Sequence, residues 1–215
     1  MLHFQSFVFN PFQENTYVVW DDTGDAAIID PGCADEVENR ELEAFIKENK
    51  LNVRRLLNTH CHIDHVLGNR YVSETWNVPL EIPEHELAVL KSAEVLGPAY
   101  GFHDYRHIEA DRLLREGDVI EIGKLRFAVL FVPGHSPGHV AFYCAEHDSL
   151  FSGDVLFYNS IGRTDLPGGN HDTLISSIHS NLFTLPDSTR VYPGHGPETT
   201  IGFEKRTNPF CAIES

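Results

Sequence analysis

Residues 58–69 read NTHCHIDHVLGN. Three histidines and an aspartate, His60, His62, Asp64 and His65, fall within six positions. They lie between an apolar strand-like run, VRRLLN (53–58), and a helix-like one, HVLGNRYVSETW (65–76). In an extended segment residues two apart point the same way, so His60 and His62 can approach one cation together. A helix beginning near Asp64 turns the positive end of its dipole towards the same place, which favours a carboxylate there. One turn cannot enclose an ion, so further ligand-type side chains are expected at the ends of other strands.

Three later turns meet that expectation. VPGHSPGH (132–139), FSGDVLF (151–157) and YPGHGPET (192–199) each follow an apolar run, and their candidate ligands are His135, Asp154 and His195. Strand-like segments, short, β-branched or aromatic and bounded by Gly, Pro, Asn or Asp, are expected at 3–9, 16–20, 26–30, 53–58, 119–122, 125–132, 140–144, 149–153 and 189–192. Helical periodicity is clearest over 34–50, where Val37, Leu42, Phe45 and Ile46 share an apolar stripe, and weaker over 65–76, 83–93 and 171–183. Many strands with a few interspersed helices predict two packed sheets with helices outside.

Composition narrows the class of function. With 215 residues, 41% of them hydrophobic, the chain can bury a sizeable core. No linker, repeat or low-complexity tract interrupts it, so one domain over 1–215 is expected. The 16 Lys and Arg against 32 Asp and Glu give a net charge of −16, which repels phosphate backbones and anionic lipid and attracts cations. Neither nucleic acid nor membrane is expected as a partner. The amino-terminal stretch lacks a secretion pattern and no run suits a membrane helix, so a cytoplasmic protein is expected. Cys33, Cys61, Cys144 and Cys211 form no CxxC pair, and reduced thiols are expected.

The set THCHIDH, PGH (133–135), SGD (152–154) and PGH (193–195) resembles that of the metallo-β-lactamase superfamily of metallohydrolases. The resemblance implies an α/β fold, a four-layer αββα sandwich with a dinuclear metal site at its rim. It implies that His60, His62 and His135 hold one ion, that Asp64, His65 and His195 hold the second, and that Asp154 bridges both through its two carboxylate oxygens. Imidazole and carboxylate suit two divalent ions, Zn²⁺ first, with iron or manganese accepting the same ligands. Two cations sharing one water bring its pKa towards about 7, and the hydroxide attacks an ester-like or thioester carbonyl, with Asp64 orienting it.

Within the superfamily the segments SGDVLFYNSIGRTDLPGG (152–169) and GHGPETTIGFEKRTNPF (194–210) resemble short, single-domain glyoxalase II-like hydroxyacylglutathione hydrolases. Longer members carry a helical carboxyl-terminal domain, whereas this sequence ends about 20 residues after His195. The expected substrate is a small thioester, an S-acylglutathione such as S-lactoylglutathione. In the family a basic residue after the second glycine contacts the glycine carboxylate of glutathione. That position is Arg163, whose other reading is a brace paired with Asp165. The alternatives are a persulfide dioxygenase with one iron, and a lactonase or other ester hydrolase of the same superfamily. His3, His85, His103, His107, His139, His147, His171 and His179 fit no ligand position and are expected on the surface or hydrogen-bonded in the core. Residues 97–107 are read as a packed surface loop, and Cys61 as pointing away from the ions.

Overall fold

A computed structural model describes residues 1–213. The chain divides into two compact units, residues 1–114 with 121–125, and residues 115–120 with 126 onward. In the first, the alternating runs at the start of the chain form a hairpin of β1 (His3–Phe9) and β2 (Glu14–Trp20). β3 (Asp25–Ile29) pairs antiparallel with β2, and β4 (Asn52–Leu57), β5 (Leu80–Pro83) and β6 (Arg112–Leu114) then join in parallel, in the order β1-β2-β3-β4-β5-β6. Parallel neighbours need crossovers. α1 (Glu36–Glu48) supplies the first of them, α2 (Ile63–Val66) and α3 (Asn69–Trp76) the second, and α4 (Leu87–Leu96) lies in the third.

α1 starts where Asp35 accepts hydrogen bonds from the Val37 and Glu38 amides, and it buries Leu42 and Ile46. Val37 departs from the expected stripe. It lies in the first turn and is 71% exposed. The single helix expected over 65–76 is two, broken at Leu67 and Gly68. A Cβ on Gly68 would stand 2.3 Å from Cys33 Sγ, so the chain passes too close to residues 31–33 for a side chain there. The helix expected from residue 83 begins instead with a 3-10 turn over 84–86, and α4 extends to Leu96. Phe102 and Tyr105 of the 97–107 stretch pack on the core of this unit, around Ile28, Leu42, Leu56 and Leu80.

The second sheet has the order β14-β13-β10-β9-β8-β7. Its strands are β7 (Val119–Ile122), β8 (Leu125–Phe131), β9 (Val140–Cys144), β10 (Ser149–Gly153), β13 (Arg190–Pro193) and β14 (Thr199–Thr200). β8, β9 and β10 are antiparallel, whereas β10 and β13 run parallel. A small hairpin, β11 (Leu156–Phe157) and β12 (Ser160–Ile161), stands apart from the sheet. The helix expected over 171–183 is α5 (His171–Ser177) followed by a π-helical turn, Ile178–Leu182. Leu174, Ile178 and Leu182 are fully buried with Val132, Leu150 and Val191, and Ile175 packs against them partly buried. α6 (Ile201–Thr207) follows β14. Among the described residues no helix is long and apolar enough to cross a membrane.

Leu56, fully buried in β4 two residues before the ligand-rich turn, measures how far that strand depends on its core. Leu56→Ala is expected to cost about 2–5 kcal/mol through lost burial and the cavity left behind. Urea unfolding followed by circular dichroism checks this.

Candidate metal centre

In the first unit three parallel strands end side by side. Ile29 of β3 is in register with Leu57 of β4, and Leu57 with Glu81 of β5, so the residues that follow them gather at one edge. From β4 comes the turn Asn58–His62. The Asn58 amide donates to Glu81 O (3.0 Å), and the Thr59 amide donates to Asp30 Oδ1 (2.7 Å). The Cys61 amide donates to Glu86 Oε2 (2.9 Å). The Asn58 side chain donates to His65 O and accepts from Asn69, which ties the start of α2 back to the strand. Asn10 fastens the same helix from the β1–β2 loop by donating to the carbonyls of Gly32 and Asp64.

These supports fix which ring nitrogen His60 and His65 present. Thr59 Oγ1 donates to Asp30 Oδ2 (2.6 Å), so its contact with His60 Nδ1 (3.1 Å) leaves the imidazole as donor. His65 Nδ1 lies 3.3 Å from the same carboxylate oxygen. In both rings Nε2 is then the lone-pair nitrogen, the form a metal requires. His60 and His65 are fully buried, and Asp64 is 16% exposed. His62 stands edge-on to His60, with ring centroids 4.8 Å apart. Asp30 sits at φ 49°, an uncommon conformation for a residue with a Cβ, and from there its carboxylate reaches the turn.

The second unit builds its set from a different pairing. β9 runs antiparallel to β10 with Phe142 opposite Phe151, so His139, just before β9, falls opposite Asp154, just after β10. The Asp154 amide donates to His139 Nε2 (3.0 Å). β13 runs parallel to β10, and the Gly194 amide donates to Gly153 O, which brings His195 beside Asp154. A Cβ on Gly162 would stand 1.9 Å from Asp154 O, so the hairpin passes over Asp154 only as glycine. His135 Nδ1 donates to the backbone carbonyl of Arg163 (2.8 Å), which again leaves Nε2 as the lone-pair nitrogen.

Donor spacing tests whether these groups suit a metal ion. His135 Nε2 and His195 Nε2 lie 3.6 and 3.5 Å from the same oxygen, Asp154 Oδ2. In the first unit His65 Nε2 lies 3.6 Å from Asp64 Oδ2. These separations are too long for good hydrogen bonds. They match two ligands held at about 2.0–2.2 Å on one tetrahedral ion, which stand about 3.4 Å apart. The donors fit a metal.

The metallo-β-lactamase superfamily profile matches residues 9–195. The chain belongs to the metallo-β-lactamase superfamily. This is the expected fold class, with two large sheets and attendant helices in an α/β chain, and it makes the protein a metallohydrolase-type enzyme. The chain is 40% identical over 206 residues to the hydroxyacylglutathione hydrolase GloC of Haemophilus influenzae, covering 95% of each. Among solved structures it resembles BLEG-1 B3 metallo-β-lactamase (TM-score 0.85, 38% identity, 97% of this chain and 99% of that one). It also resembles TTHA1623 in a di-iron-bound form (TM-score 0.83, 41% identity, 96% and 99%).

Three residues that hold the backbone beside the candidate ligands escaped the motifs: Asp30, Glu86 and His139. Only His139 left a trace, four residues after His135 in HSPGH. Cys61, fully buried in the core with its thiol pKa pushed up by burial and by the nearby Glu86 carboxylate, is held as an inert side chain. Arg163 makes a bidentate pair with Asp165, both contacts 2.7 Å and both side chains more than 60% exposed. That hydrogen bond holds the Asp165 carboxyl down at about 2. A depressed acid stabilises the fold above its ordinary pKa and ceases to as pH falls through the folded value, so whatever this exposed pair contributes is present at neutral pH and is lost only in acid. Arg163→Ala is expected to return the Asp165 pKa towards the usual carboxylate range while leaving His135 in place, because His135 uses the Arg163 backbone. NMR titration of both side chains checks it.

Proposed function

We propose that the protein hydrolyses a thioester of the S-acylglutathione class, S-lactoylglutathione among them, with two divalent ions. What supports the metal part is the donor geometry around Asp154 Oδ2 and the shared tautomer of His60, His65 and His135. What supports the substrate class is the likeness to a hydroxyacylglutathione hydrolase over nearly the whole chain. In this reading His60, His62 and His135 hold one ion, Asp64, His65 and His195 the other, and Asp154 serves both. Zn²⁺ suits such ligands, as do iron and manganese. Bound there, the ions would supply an acidified water and polarise the substrate carbonyl.

The chain's own groups do the rest. Asp64, the partly exposed carboxylate of the set, accepts a hydrogen bond from the attacking water and orients it. Asp30 keeps His60 and His65 in the tautomer that leaves Nε2 unprotonated. Arg163 reaches a substrate carboxylate by exchanging it for Asp165.

Purified, metal-replete protein is expected to carry close to two transition-metal ions per chain and to hydrolyse S-lactoylglutathione, followed by loss of thioester absorbance. Asp154→Ala is expected to lose most of the metal and nearly all activity. Metal content near zero in the parent protein defeats the reading, as does oxygen uptake on glutathione persulfide without thioester loss, which would make it a dioxygenase.

A further inference from the structure

We infer that Glu86 is a positioning residue for one of the two ions, setting the turn that aims His60 and His62. The inference rests on the dinuclear reading above. Cys61 is the residue between those two histidines, and its amide donates to Glu86 Oε2 at 2.9 Å. Both partners are buried, Glu86 with no exposed surface at all. A carboxylate is costly to bury and is retained where it accepts hydrogen bonds that nothing else can.

The location of Glu86 sharpens the point. It is the residue preceding α4, where a side chain ordinarily turns back to cap the first helical amides. α4 has no such side-chain cap. The Glu86 carboxylate is directed at the Cys61 amide instead, while the positive end of α4 helps to offset its charge. The geometry follows from strand order. β5 lies beside β4 in parallel, so the turn leaving β5 and the turn leaving β4 meet at one edge, and Glu86 rides on the first of them.

Asp30 and Glu86 therefore hold alternate amides of the turn, those of Thr59 and Cys61. Their reach differs. Asp30 also touches His65 and, through Thr59, His60, so it bears on both ions. Glu86 holds the Cys61 amide, which lies between two ligands assigned to the same ion. Its loss should then disturb one ion and spare the other.

The experiment compares the parent protein with Glu86→Ala, Glu86→Gln and Glu86→Asp. Glu204→Gln serves as a control, since Glu204 is also fully buried and bonds Asn159, Thr199 and Asn208, far in sequence from the turn. Zn²⁺ stoichiometry and affinity are measured by chelator competition at a temperature where circular dichroism shows every variant folded. The Cys61 amide is followed by NMR in the zinc-free protein.

Glu86→Ala is expected to retain one ion at parental affinity and to bind the other about 10- to 100-fold more weakly. Its Cys61 amide should exchange faster and shift upfield. Gln keeps an oxygen acceptor at the same reach and should recover most of the affinity. Asp keeps the charge but withdraws the acceptor by one methylene, so it should behave like Ala, and it decides the matter should Ala fail to fold. Glu204→Gln should lower the melting temperature without changing zinc affinity.

Two ions held at parental affinity by Ala and Asp overturn the role of Glu86, and so does equal weakening of both ions. A parent protein that takes up fewer than two ions overturns the dinuclear reading and this inference with it.

Discussion

Buried backbone amides must find acceptors, and in the turn after β4 two of them find carboxylates. The Thr59 amide is held by Asp30 and the Cys61 amide by Glu86. Neither acid lies near the turn in sequence. Both arrive because β3, β4 and β5 run parallel in adjacent positions, so the residues that leave their carboxyl ends share one edge of the sheet. Placing functional groups at the carboxyl ends of parallel strands is a general habit of α/β proteins. Here the same edge also fixes ring tautomers, because the Asp30 carboxylate is in contact with Thr59 and His65 together.

The second unit reaches a similar result with mixed pairing. Asp154 leaves β10 between an antiparallel neighbour that contributes His139 and a parallel neighbour that leads to His195. His139 grips its amide, Gly162 packs on its carbonyl, and its Oδ2 is left near His135 and His195. Asp154 Oδ2 lies 3.6 Å from His135 Nε2 and 3.5 Å from His195 Nε2. The backbone of Asp154 is thus fixed on both sides before its side chain meets any ligand. Precision at such a centre comes from the groups behind the ligands as much as from the ligands themselves.

Legibility in the sequence followed range of interaction. Strands of five or more residues, and the four-residue β7 and β13, showed themselves by alternation or β-branching, whereas β5, β6, β11, β12 and β14, two to four residues each, carry too little pattern and exist through their neighbours. α6 was missed because its few residues follow a turn-rich stretch. Helix breaks were missed where tertiary contact decided them, as when Gly68 meets Cys33. The candidate ligands were readable because four of them lie in one turn and the others follow recurring PGH and SGD turns. Their supports were not, because Asp30 in AAIIDPG reads as a turn former and Glu86 in PEHELAVL reads as an ordinary helical acid. A hydrogen bond to an amide 25 or more residues away leaves no local trace.

Arg163 shows how one residue can serve two parts that the sequence left as alternatives. Its backbone carbonyl orients His135, a role indifferent to the side chain. Its guanidinium is closed on Asp165 by two hydrogen bonds, yet both groups are largely exposed, and exposed ion pairs are worth only about 0–1 kcal/mol. A substrate carboxylate offering the same bidentate geometry would replace Asp165 at little net cost. In the proposed reading the brace and the clamp are successive partners of one fork. Asp165 already orders the guanidinium, so less side-chain freedom would be lost on binding a substrate carboxylate in its place.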